Sequence, residues 1–192
     1  MHITLARHGK PDLQLDSWVA PMAMSDWLRH YDRAGIAPAA VPAAIRAQAA
    51  AARLLASSPL PRSLQSAQRL AAGREVLCDA LFCEAELPCP HWSCAKLPPL
   101  AWSAMFRLAW FYGVSLHAAP LPQSRWRARQ AALRLIELAR ENDSVLLVGH
   151  GLMTMLIARE LLALGWQGPK RPFSGYWQCS VYRPGAEARQ AV

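Results

Sequence analysis

The run Val145-Leu146-Leu147-Val148, broken at once by Gly149-His150-Gly151, is the feature that most constrains the fold of this chain. Four consecutive apolar residues without polar alternation describe a strand covered on both faces, as in the middle of a parallel sheet. Such a strand needs helices to cover it, and its flanks supply them. Before it, Ala128, Ala131, Ala132, Leu135 and Leu138 keep one apolar face, with Ser124 placed to cap that helix. After it, Met153, Ile157, Leu161 and Leu164 do the same until Gly165.

The rest of the chain continues the alternation. Ile3 to Ala6 is a first strand ending at Arg7-His8-Gly9, and a helix from about Ala43 to Arg53 runs into a strand at Leu54 to Ser57. Pro61 suits a first helical turn, after which Leu64, Ala67 and Ala71 share a face up to Gly73. Val76 to Cys78 is a third short strand, and Trp177 to Tyr182 a last one at the sheet edge. Residues 10–40 read as irregular, and 84–123 is a Pro/Trp-rich stretch with one helical segment, roughly Trp102 to Tyr112. Strands alternating with helices predict a three-layer α/β/α sandwich with a mainly parallel central sheet. The expectation is a single domain spanning 1–192, with a cap-like insertion around 84–123.

Composition narrows the class. Of 192 residues, 53% are hydrophobic and 18% charged, which is too apolar for intrinsic disorder. No apolar run approaches the roughly 18 residues of a spanning helix, so no membrane partner is expected. No secretory signal is read at Met1–Arg7, which predicts a cytoplasmic domain. Basic residues outnumber acidic ones by 21 to 13, giving +8 and favouring anionic partners. The positives are spread along the chain, which argues against nucleic acid. Five cysteines suit reduced thiols, and Cys83-x5-Cys89-Pro90-His91-x2-Cys94 lacks the paired C-x2-C knuckles of a strong zinc site. No metal and no cofactor are expected.

His8 and His150 each follow an apolar strand and touch a glycine, in the position where open α/β sheets bind ligands. If the two strands are neighbours, both rings project into one region. Arg7 lies beside the first ring. Arg62 follows a third strand end, Ser57-Ser58-Pro59, at the start of a helix whose positive end favours an anion. Two arginines and two histidines at three strand ends describe a phosphate pocket.

On these residues the chain resembles the histidine phosphatase superfamily, also called the phosphoglycerate mutase-like family. Arg7-His8-Gly9 is similar to its RHG signature, Ser57 to Ala67 to the segment bearing its second arginine, and Val148 to Gly151 to that bearing its second histidine. The resemblance implies that His8 is the nucleophile, becomes phosphorylated and needs no metal. Arg7, Arg62 and His150 would bind the phosphoryl oxygens. It also implies a general acid just after the third strand, where Glu84 and Glu86 compete; Phe82-Cys83-Glu84 has the family's apolar-x-Glu form, which favours Glu84.

The chain departs from the family in Lys10-Pro11 and in Ala85 to Pro90, which leaves the substrate open between small phosphorylated metabolites and phosphoproteins. Oligomeric state is not legible. A length of 192 leaves limited room for the lid of a mutase, so the resemblance implies hydrolysis. The alternatives are a phosphoglycerate mutase-type transferase and a non-catalytic phospholigand-binding module.

Overall fold

The computed structural model describes residues 1–13 and 18–186. Its elements in chain order are β1 (His2–Arg7), α1 (Met24–Arg33), α2 (Ala43–Ala51), β2 (Leu54–Ser57), α3 (Pro61–Ala71) and β3 (Val76–Cys78). Then come α4 (Pro99–Phe111), α5 (Leu121–Asn142), β4 (Ser144–Gly149), α6 (Gly151–Ala163), β5 (Trp166–Gln167) and β6 (Cys179–Pro184). The six strands form one sheet in the order β3-β2-β4-β1-β6-β5. β1, β2, β3 and β4 run parallel, and β6 joins β1 antiparallel.

β4 lies between β2 and β1, and every residue in it is buried, as its unbroken apolar run requires. Strand alternation sends its side chains to two different cores. Ile3, Leu5, Val145 and Leu147 pack with Ala131, Leu135 and Ile157 of α5 and α6. Ala6, Leu146 and Val148 pack with Ile45, Ala67 and Leu70 of α2 and α3. Helices on both faces complete the three layers. A third cluster, Met24, Trp102 and Phe106, joins α1 to α4 and makes the cap a packed unit beside the sandwich.

Several boundaries depart from the sequence reading. Helix α1 lies within the stretch read as irregular; residues 14–17 of that stretch lie outside the described residues. Met24, Trp27, Leu28 and Tyr31 stand at i, i+3, i+4 and i+7 of this helix, an apolar period that the reading of 10–40 as irregular passed over. Ser124 does not cap α5, which begins at Leu121 behind Pro120; Ser124 is instead buried in the second turn. β6 is internal, and the edge on that side is the two-residue β5, which is too short to leave a pattern.

Candidate active site

β1 and β4 are neighbours in register, with Arg7 opposite Gly149, so His8 and His150 leave adjacent parallel strands at the same level. The backbone amide of His8 donates to the Gly149 carbonyl at 3.1 Å, and the Trp177 amide donates to the Arg7 carbonyl at 3.1 Å. The two imidazole centroids are 5.2 Å apart, tilted by 58°. The condition set by the sequence is met.

His8 Nδ1 lies 2.7 Å from the Gly9 carbonyl oxygen. A carbonyl can only accept, so Nδ1 carries the hydrogen and Nε2 keeps its lone pair. Burial, then the His150 ring and the Arg62 and Arg7 guanidinium groups, hold the His8 imidazole well below the ordinary histidine range. The ring is thus neutral at pH 7, the state a nucleophile needs. Gly9 is required by close approach: a Cβ there would stand 2.5 Å from the Trp177 ring. Its amide donates to Ser66 Oγ at 2.9 Å, tying the turn to α3.

His150 occupies the N-cap position of α6, and its Nε2 shares a 2.7 Å hydrogen bond with Ser58 Oγ. Burial, then Arg62, Arg7 and Arg127, hold this imidazole well below its ordinary range too. Its Nδ1 is buried and has no hydrogen-bond partner among the described residues.

Arg62 is 1% exposed and is aimed by α1. Its Nη1 donates to the Tyr31 carbonyl at 3.0 Å, its Nη2 to Asp32 Oδ1 at 3.1 Å, and its guanidinium stacks 4.4 Å over the Tyr31 ring. Arg7 donates to the Ser174 carbonyl and lies 4.5 Å from the Tyr176 ring centroid. Both arginines leave a buried Nε without a partner. Buried donors are normally satisfied. Arg7 Nε, Arg62 Nε and, with the Ser58 hydroxyl donating to Nε2, His150 Nδ1 are three such donors, and they fit an anion whose oxygens accept several hydrogen bonds at once.

The two glutamates separate. Glu84 sits at the N-terminus of α6, where Oε1 accepts from the amides of Ala85 at 2.9 Å and Met153 at 2.8 Å, and Oε2 from Leu152 at 3.2 Å. It therefore shares with His150 the first turn of one helix. Glu86 is exposed and Oε2 accepts from the Ala119 amide at 2.8 Å, facing the α4–α5 connection. Arg7, Arg62, Tyr176 and both glutamates line a cavity of about 570 Å³, which opens under the cap between Trp27, Leu28, Leu87 and Arg107. His8 and His150, each 1% exposed, lie beneath that surface.

Among the tryptophans, Trp27 lines the cavity, Trp102 and Trp110 are core, and Trp18 and Trp92 are exposed. The 83–94 cysteines are free thiols, and among the described residues no group of three or more His, Cys, Asp or Glu gathers as a metal site. Sequence reasoning missed Ser58, Ser66, Tyr31, Asp32 and Tyr176. Ser58 and Ser66 stand inside the quoted motif, so a closer reading could have assigned them; Tyr31 and Asp32 belong to the helix read as irregular, and Tyr176 to a loop without pattern.

With this geometry in view, the comparisons with known proteins are direct. The family model of the histidine phosphatase superfamily (branch 1) matches residues 3–191. The chain belongs to that superfamily. A search of curated proteins finds no match. Similar solved structures include a phosphoserine phosphatase from Entamoeba histolytica, 15% identical, covering 94% of this chain and 89% of that one, with a TM-score of 0.58. A mycobacterial glucosyl-3-phosphoglycerate phosphatase is 21% identical over 95% and 96% of the two chains, with a TM-score of 0.55. A putative α-ribazole-5′-P phosphatase from Escherichia coli is 16% identical over 86% and 80%, with a TM-score of 0.56.

Proposed function

We propose that this chain is a phosphomonoester hydrolase that works through a phosphohistidine at His8, on a small phosphorylated metabolite or a phosphoprotein. The observation that carries the reading is the Nδ1–H of His8 locked onto the Gly9 carbonyl, amid three buried donors with no partner. Nε2 of His8 attacks phosphorus, the P–N bond forms, and the ester P–O bond breaks. The guanidinium groups of Arg7 and Arg62 and the Nδ1 side of His150 balance the charge of the transferring group. Glu84 delivers the proton to the departing oxygen, which requires one carboxyl oxygen to release its amide partner and carry that proton. Water then attacks phosphorus, Glu84 takes its proton, the P–N bond to His8 breaks, and phosphate leaves. No step draws on a metal.

The test is phosphate release from nitrophenyl phosphate in EDTA, with trapping of the phosphoenzyme. An acid-labile, base-stable label that disappears in His8→Ala is the expected result. Full activity in His8→Ala overturns the mechanism.

A further inference from the structure

Helix α4 is apolar on two faces, and only one of them is covered. Trp102, Phe106 and Trp110 are buried against the domain, while Leu100, Met105, Leu108, Phe111 and Tyr112 are each 41% to 84% exposed. At 100° per residue the exposed set occupies a single stripe roughly 140° wide. The stripe continues into the loop through Val114 and Leu116 and borders the cavity mouth, since Leu100 lines the cavity as well. A helix apolar all round calls for cover on both sides.

The charge around the stripe says what kind of cover. From Leu87 to Ile136 the chain contains no Asp or Glu, but holds Lys96, Arg107, Arg125, Arg127, Arg129 and Arg134. Lys96 stands just before α4 and Arg125 in the second turn of α5, both exposed, as are Trp92 and Trp126, close to them in sequence. Arg129 and Arg134 are paired with Glu160 and Glu137, but Lys96 and Arg125 have no ion pair among the described residues, and a second copy packed face to face would set them against their own counterparts. Apolar side chains flanked by cations and by Trp and Tyr instead complement lipid, where chains take the first, anionic headgroups the second and the interface the third.

We infer that the outer face of α4, flanked by Lys96 and Arg125, docks this domain on the surface of an anionic lipid bilayer, with the cavity mouth beside the headgroups. This goes beyond the hydrolase reading and does not depend on it. The sequence reading expected no membrane partner because it sought a spanning helix, and indeed no described helix is long and apolar enough to cross a bilayer. Peripheral docking needs none.

The experiment is co-sedimentation of the full chain with phosphatidylcholine vesicles, with and without phosphatidylglycerol as a third of the lipid. Binding to the anionic vesicles, weakened by salt, is expected. Lys96→Gln and Arg125→Gln should each weaken it roughly fivefold. Leu108→Gln with Tyr112→Ser should abolish it while leaving the circular-dichroism melt in place, because both side chains are exposed; Met155→Gln, exposed on α6, should bind as the parent does. Absence of binding to anionic vesicles, equal binding to neutral ones, or equal loss in Met155→Gln overturns the proposal. So does a dimer in light scattering that the double variant dissolves without any vesicle binding, which would assign the face to a second copy.

Discussion

Ser58 Oγ and His150 Nε2 lie 2.7 Å apart in the buried floor of the site, joining the end of β2 to the start of α6. With the hydroxyl as donor, the ring hydrogen sits on Nδ1, the atom that lacks a partner. Ser58 therefore decides which face His150 offers to an anion. Ser58→Ala should lower kcat/KM by about tenfold, the effect of unpairing a buried hydrogen bond of about 1.5 kcal/mol. Ser58→Thr, which keeps the hydroxyl, should recover most of it. Equal losses in the two variants would assign the serine to packing alone.

Arg62 is held on two sides by α1, and its third donor faces the site. A lysine keeps the charge but cannot present a planar fork to Tyr31, Asp32 and an oxyanion together. Arg62→Lys should lose about a hundredfold in turnover of nitrophenyl phosphate, the scale of one oxyanion donor. Arg134→Lys, paired with exposed Glu137 on α5, should be indistinguishable from the parent.

Glu84 and Glu86 are told apart by their leaving groups. A nitrophenolate departs without a proton, whereas an alkoxide does not, and a general acid contributes about 10²–10⁴-fold. Glu84→Gln should cripple alkyl phosphate hydrolysis and spare nitrophenyl phosphate, at a further stability loss of about 1 kcal/mol from the weakened cap of α6. Glu86→Gln, whose carboxylate is engaged by the Ala119 amide, should behave like the parent on both. The reverse pattern would move the acid to Glu86.

His8 and His150 both have folded-state pKa values well below the ordinary 6.5, chiefly through burial. As pH falls below about 6.5, the unfolded chain binds protons that the folded rings refuse, so stability rises with pH and is lost on acidification. Each ring contributes up to about 1.4 kcal/mol per pH unit in that window. Urea unfolding from neutral pH to about pH 5 should show the decline, and His8→Asn and His150→Asn should each flatten it. A profile unchanged by both substitutions would contradict neutral buried imidazoles.

The sheet and the strand-end residues were legible because each rests on a local signal. β4 announces itself by an apolar run covered on both faces, and His8 and His150 by where such runs stop. What was hidden depends on contacts between distant segments. Tyr31 and Asp32 hold Arg62 through contacts across some thirty residues that the apolar period of α1 does not reveal, and Tyr176 stacks on Arg7 from a loop without regular structure. The acid was narrowed to two residues because motif spacing tolerates a shift of two; the proposal of Glu84 draws on its place against α6, which no motif spacing carries.

The register of β1 against β4 has one more consequence, for the order in which the molecule matures. The site draws on the end of the first strand, on the β2–α3 turn, on Glu84, on the start of α6 and on the loop before β6, and no two of these are close in sequence. β4, which brings β1 and β2 into one sheet, is made from residues far down the chain. Until it is seated, His8 has no Gly149 carbonyl to hold its backbone and no His150 beside it. Helices can form early from local contacts, but pairings of this sequence separation form late. Competence for phosphate is therefore a property acquired at the close of folding, and a truncated or half-folded chain carries the RHG turn without the pocket that gives it meaning.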